Sequence, residues 1–222
     1  MPAIRLPRLS ECKVFFDFDN TITFFDVLDD IIQRFSINRD WMNFEKKWKK
    51  GQISSRQCLE GQLRSVRIKK KDFLVYLSLI KIDPRFYKFV SILKKEGMKP
   101  VIVSDSFTFI IRFILKNNGI NGIKVYGNNL KFVNNKLIPS FPHSNRHCHL
   151  CAHCKRKTLS RDVKEKVIIY IGDGHSDICP AEYSDLVFAK GTLLEHFRKT
   201  RRLCIGFNNI DDIYGYLKGL EQ

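Results

Sequence analysis

The sequence predicts an α/β fold: a three-layer, Rossmann-like parallel sheet with helices on both faces and a small helical cap inserted after the first strand. Three observations carry this expectation. Short apolar runs (KVFF at 13–16, KPVIV at 99–103, VIIYI at 167–171) each lead into polar or acidic residues, as buried parallel strands do when they leave a sheet. Segments with helical apolar spacing separate these runs, and strands alternating with helices make a covered parallel sheet. The stretch from about residue 25 to 80 keeps helical spacing and shows no strand signal.

The first strand ends in Asp17, Asp19, Asn20 and Thr21. Open α/β sheets place ligands beyond such carboxyl ends. Asp17 and Asp19 are therefore expected side by side at a crevice, where they repel unless a cation or a shared proton compensates. Phe25–Phe35 reads as a helix, and Asn38 to Ile80 stays helical while turning basic and aromatic, with Trp41, Phe44 and Trp48. An insertion directly after the acidic strand lies over the crevice as a lid. The expected division is a core of residues 1–24 and 81–222, with a cap of residues 25–80.

Asp83-Pro84 opens a helix, a capping residue followed by proline at the first helical position, which runs through Leu93 to a stop at Gly97. Lys99–Ser104 is a second strand, Phe107–Lys116 a helix ended by Asn117-Asn118-Gly119, and Ile123–Tyr126 a third strand. Leu130–Val133 and Lys136–Ile138 alternate around Asn134-Asn135 as a hairpin. Phe141–Cys154 is an irregular loop rich in histidine and cysteine. Lys155–Lys164 resumes as a helix, and Val167–Ile171 is a strand ending in Gly172-Asp173-Gly174. His175–Tyr183 is a helix, Leu186–Ala189 a strand, Leu193–Lys199 a helix, Leu203–Ile205 a strand and Ile210–Leu220 a final helix.

Composition bounds the function. A chain of 222 residues, 44% hydrophobic and 12% aromatic, buries a real core and is no disordered tail. No apolar run approaches the ~20 residues of a membrane-spanning helix, and MPAIRLPRLSECK has no apolar leader, so a cytoplasmic protein is expected. The net charge is +16, and Ile37–Ile80 alone carries 11 basic against 4 acidic residues. Such a balance favours anionic partners; the run is read first as a solvated basic face and only second as a nucleic-acid surface. Seven cysteines, three of them within seven residues, argue for reduced thiols or a metal loop rather than a disulfide framework.

Three strand ends converge on one sheet edge: Asp17 and Asp19 with Thr21, then Ser104, then Asp173 with Asp177. Lys155 begins the helix that leads into the Asp173 strand. This set suits phosphoryl transfer. A carboxylate can attack phosphorus, a neighbouring acid can protonate the leaving oxygen and then activate water, and a hydroxyl and a lysine can hold phosphate oxygens. Mg²⁺, which takes oxygen ligands, would neutralise the crowded acids.

DFDNTIT, VIVSDS, the lysine of CKRKTL and IGDGHSD, in this order, resemble the haloacid dehalogenase (HAD) superfamily of phosphatases over nearly the whole chain. The resemblance implies an HAD-like core and a Mg²⁺-dependent phosphomonoesterase that works through an aspartyl phosphate. It makes Asp17 the nucleophile and a Mg²⁺ ligand, and Asp19 the general acid/base and a ligand through its backbone carbonyl. Ser104 and Lys155 become the phosphate-binding residues, and Asp173, supported by Asp177, completes the metal site. Lys155 is preferred to Lys157 because of the Cys-Lys pair and the following Leu159. The insertion looks like the cap of the phosphoserine phosphatase subclass.

Two groups of that subclass compete. HSDICPAEYSDLVFAKGTLLEH, FPHS and Asp26 look like the methionine-salvage phosphatase acting on hydroxy-keto-methylthiopentenyl phosphate. SDS, Gly172–Pro180 and the spaced cysteines look like phosphoethanolamine/phosphocholine and pyridoxal-phosphate phosphatases. Ser176 and Asp105 depart from the phosphoserine phosphatase pattern, which usually has Asn and Gly there. Asp26 and His175 are candidate substrate contacts, and the substrate class is a small phosphorylated metabolite.

Cys148, Cys151 and Cys154, with His143 and His147, have the ligand types and spacing of a structural zinc site. A reduced loop whose cysteines pack is the other reading. The rival function is a basic nucleic-acid-binding protein with a degenerate phosphatase core and a zinc loop. Oligomeric state has no signal in the sequence.

Overall fold

A computed structural model describes residues 11–145, 148, 150–163 and 167–219. Strands β1 (Cys12–Phe16), β2 (Val101–Phe107), β3 (Lys124–Val133), β4 (Lys136–Ser140), β5 (Val167–Gly172), β6 (Leu186–Ala189) and β7 (Ile205–Gly206) form one sheet in the order β4-β3-β2-β1-β5-β6-β7. All neighbours are parallel except β4, which closes one edge antiparallel to β3. β1 is central, with Phe15 opposite both Val101 and Tyr170. The chain builds outward from β1 toward β2 on one side and β5 on the other, which makes the β1 carboxyl end the switch point where α/β sheets open a crevice.

Ten helices surround the sheet among the described residues: α1 (Val27–Phe35), α2 (Trp41–Lys49), α3 (Ser55–Leu63), α4 (Lys70–Leu79), α5 (Pro84–Lys95), α6 (Thr108–Asn117), α7 (Lys155–Asp162), α8 (Ile178–Glu182), α9 (Gly191–Lys199) and α10 (Ile210–Gly219). Strand period assigns the layers. Val14 and Phe16 enter a large core with α1, α4, α5, α6 and α10, while Phe15 enters a second core with Leu159 of α7, Ala181 of α8 and Leu193 and Phe197 of α9. Helices α1 to α4 all precede the second strand. Ser54 and Gln57 form a reciprocal capping box at the start of α3, which fixes where that helix begins. The lysines of α2 are exposed, so this part of the basic run is a solvated face. No helix among the described residues is long and apolar enough to cross a membrane.

Several boundaries differ from the sequence expectation. The strand expected at Ile123–Tyr126 and the hairpin arm at Leu130–Val133 are one strand, β3, because the intervening Asn128 is buried and donates its Nδ2 hydrogen to the Asp105 carbonyl (2.7 Å). β2 continues to Phe107 with a register shift after Val103, which swings Ser104-Asp105-Ser106 out of the regular ladder. His175–Asp177 is a 3₁₀ turn and only Ile178–Glu182 is α-helical. The last strand is Ile205–Gly206 rather than Leu203–Ile205. Lys164 and Leu220, the expected ends of two helices, lie outside the described residues.

Candidate active site

Asp17 extends the central ladder by one bond, its N–H donating to the Ile171 carbonyl (2.9 Å). The chain then doubles back: the Phe18 carbonyl accepts from Ile22 and Thr23, and Asn20 takes a left-handed φ of 53° that asparagine tolerates. This turn carries Asp19 beneath α1, where its Oδ1 accepts the Val27 N–H (2.9 Å) at the positive end of the helix. Thr21 donates its hydroxyl to Asp173 Oδ1 (3.2 Å), joining the first and third acidic strand ends.

Lys155, the first residue of α7, is 2% exposed. Its Nζ donates to Asp17 Oδ1 (2.8 Å) and to Asp177 Oδ1 (2.6 Å). Asp177 is fully buried and saturated: Tyr170 also donates to Oδ1 (2.6 Å), and the N–H groups of Asp173 and Gly174 donate to Oδ2 (3.1 and 3.0 Å). Gly172 allows this closeness, since a Cβ there would lie 2.6 Å from Asp177 Oδ2. Ser104 Oγ accepts the Ser106 N–H (3.1 Å), which leaves its own proton available to a ligand.

Ligand atoms of Asp17, Asp173 and Asp177 lie within 4.8 Å of one another. The electrostatics follow from three carboxylates facing one ammonium. Burial, then Asp177, pushes Asp17 well above the usual carboxylate range, against the pull of Lys155. Burial, then Asp26 and Asp17, does the same to Asp19. Burial and Asp177 raise Asp173 to about 6. Burial of Lys155 favours the neutral amine, but Asp17 and Asp177 outweigh it and hold the ammonium form well above the usual lysine range. An all-oxygen donor set with excess negative charge suits a hard divalent cation.

A cavity of about 210 Å³ opens on this centre. Of the sequence candidates, Asp17, Asp19, Asp26, Ser104, Asp173 and His175 line it, while Lys155 and Asp177 stand behind Asp17. Asp26 caps α1 by accepting the Asp29 N–H (2.8 Å). His175 meets Trp48 edge to face, ring centres 6.3 Å apart, so α2 and the turn after β5 touch at the cavity rim. Sequence reasoning missed Asp29, Glu45, Trp48, Gln62 and Ser106, all on the wall. The Ser106 hydroxyl is buried with no hydrogen-bond partner; the SDS triplet held that signal, but only its first serine was singled out. The insertion residues carry no spacing that would single them out.

The zinc expectation finds no support among the described residues. Cys148, Cys151, Cys154 and His143 do not gather into a metal-holding group among the described residues, and His147 lies outside them. The loop is held by other contacts. His143 and His153 stack at 4.7 Å, the His143 carbonyl accepts the Cys154 N–H (3.0 Å), and the His153 ring meets Thr158 Oγ1 (2.8 Å). No disulfide forms among the described residues.

Comparison with known proteins agrees with this geometry. A family model described as "Putative Phosphatase" matches residues 12–192. A protein of Brevibacillus brevis named 2-hydroxy-3-keto-5-methylthiopentenyl-1-phosphate phosphatase is 27% identical, covering 94% of this chain and 96% of its own. Pdp3-interacting factor 1 of Schizosaccharomyces pombe is 26% identical, covering 97% and 98%. Among solved structures, a phospho-aspartyl intermediate analogue of phosphoserine phosphatase superposes with a TM-score of 0.69 at 18% identity, over 92% of this chain and 97% of that one, a likeness of fold. With four-fifths of its length matched, this chain belongs to the "Putative Phosphatase" family and is a phosphatase.

Proposed function

We propose that this protein hydrolyses a small phosphomonoester through an aspartyl phosphate on Asp17, with Mg²⁺ bound. The observation that carries the reading is the buried Lys155 ammonium held between Asp17 and Asp177 at the switch point of the sheet. Asp17, Asp173 and the backbone carbonyl of Asp19 would hold Mg²⁺, which when bound neutralises charge between the carboxylates and the phosphate oxygens. Asp177, its oxygens already engaged, orients Lys155 and the Asp173 loop. Lys155 engages Oδ1 and opposes the burial that raises Asp17, and Oδ2 of the ionised carboxylate attacks phosphorus as the ester P–O bond breaks. Asp19, kept protonated by burial, gives its proton to the leaving oxygen. As a carboxylate it then takes a proton from water, whose oxygen attacks phosphorus and releases Asp17. Ser104, Ser106 and Lys155 hold the phosphoryl oxygens. Residues of α1 to α4 act as the cap over this chemistry.

The cavity wall also bears on the substrate. Among the described residues it presents seven carboxylates and no lysine or arginine, in a chain of net charge +16. Asp26, Asp29 and Glu45 stand on the insertion side beside Trp48. This wall favours a substrate whose far end is cationic, an aminoalkyl phosphate such as phosphoethanolamine or phosphocholine. It disfavours phosphoserine, whose carboxylate has no basic group to meet, and it repels a nucleic-acid backbone. Leu28 and Leu59 on the same wall support a second reading, the neutral methylthiopentenyl chain named for the Brevibacillus brevis relative.

The test is para-nitrophenyl phosphate turnover with Mg²⁺, with EDTA, and in Asp17→Asn, followed by a phosphometabolite panel. Metal-dependent hydrolysis abolished in the variant is expected; wild-type turnover in Asp17→Asn would end the mechanism. Preference for a neutral over a cationic substrate in the panel would select the second reading.

A further inference from the structure

Helix α7 is pinned at both ends by ion pairs of opposite polarity to the same strand. At its first residue, Lys155 reaches Asp17 just past the carboxyl end of β1 (2.8 Å). At its last, Asp162 Oδ2 forms an ion pair with Lys13 near the amino end of β1 (3.1 Å) and has no hydrogen-bond partner. Lys13, Phe15 and Asp17 alternate onto one face of the sheet, and between the two ion pairs Leu159 and Phe15 share one buried cluster. Seven helical steps span about 10 Å and four strand steps about 13 Å, so the two ladders run nearly in register.

Asp162 is an unexpected residue at that place. A carboxylate in the last turn of a helix opposes the helix dipole, and this one is only 8% exposed. Burial alone would raise it, yet Lys124, Tyr126 and Lys13 hold it below the ordinary carboxylate range. Lys124 also pairs with it, and Tyr126 donates its hydroxyl (2.8 Å), both from β3. Two donors from β3 and the Lys13 ammonium of β1 thus converge on one helix end, and none of these residues lines the cavity.

We propose that Asp162 is a positioning residue for phosphate binding: anchored to Lys13, Lys124 and Tyr126, it sets how far α7 extends Lys155 toward Asp17. This rests on the reading of Lys155 as a phosphate ligand. The helix is only eight residues long, so it has little internal cooperativity to hold its position. A shift of the order of 1 Å at a phosphate contact is enough to cost a large share of activity.

The experiment measures the inhibition constant of inorganic phosphate against para-nitrophenyl phosphate hydrolysis, together with the melting temperature. The variants are Asp162→Asn, Asp162→Glu and, should Asp162→Asn not fold, Lys13→Met, all assayed well below their melting points. We expect the inhibition constant to rise about tenfold in Asp162→Asn, to rise less in Lys13→Met, and to recover in Asp162→Glu. A lower melting temperature with an unchanged inhibition constant would make the cluster a stabilising contact only and overturn the proposal. Wild-type protein that neither hydrolyses the ester nor binds phosphate would instead strike the functional reading beneath it.

Discussion

Lys155 Nζ lies 2.8 Å from Asp17 Oδ1, and 138 residues separate the two along the chain. Both are buried, and the same ammonium is shared with Asp177 at 2.6 Å. Removing it leaves two carboxylates facing each other without a cation. Lys155→Met should therefore lose activity and about 3–5 kcal/mol of stability at neutral pH. The loss should shrink as pH falls and the raised Asp17 carboxyl protonates, which urea titrations at pH 7.5 and pH 5 will show.

Asp29 offers a pH test outside the reacting groups. Burial, with Asp26 and Glu45 nearby, raises its carboxyl to about 7. The folded form thus holds the proton more tightly than the unfolded chain, whose carboxyl titrates near 3.8. Asp29 stabilises the fold relative to its charged state below that value, and the contribution is lost as pH rises through 7. Asp29→Asn should then gain stability over wild type progressively from about pH 4, levelling above pH 7. Melting curves across that range, with Mg²⁺ absent, measure it; equal shifts at every pH would refute it.

Gly172 is required by a close approach. Its missing Cβ would sit 2.6 Å from Asp177 Oδ2 and 3.0 Å from the Tyr170 ring. Gly172→Ala should push Asp177 away from the N–H groups of Asp173 and Gly174, costing about 1–3 kcal/mol. Turnover should fall more than the folded fraction does, because Lys155 loses one of its two anchors. Denaturant midpoints and kcat from one preparation compare the two.

Asp26→Asn separates charge from structure on the cavity wall. Asparagine keeps the N-cap of α1 as well as aspartate does. If the far end of the substrate is cationic, KM for phosphoethanolamine should rise about tenfold, with KM for para-nitrophenyl phosphate unchanged. Parallel changes for both substrates would assign Asp26 to structure alone.

What the chain determines by itself is the core and its polar edge. The runs around Phe15, Ile102 and Ile169 announce buried parallel strands because apolar runs of that length have no other economical place. Asp17, Asp19, Ser104, Lys155 and Asp173 stand out in the sequence because each follows an apolar run or begins a helical pattern, where local pattern and chemistry coincide. Tertiary structure decided the rest. The Cys/His spacing of the loop suggested zinc, yet ring stacking and backbone bonds of His143, His153 and Cys154 claim that segment. Asp29, Glu45 and Trp48 lie on helices whose order in space no local period encodes, so the acidic wall exists only once α1 and α2 meet β2 and the loops after β1 and β5. Asp162 shows the same limit: its partners come from positions 13, 124 and 126, and only the packing of α7 on the sheet brings them to one carboxylate.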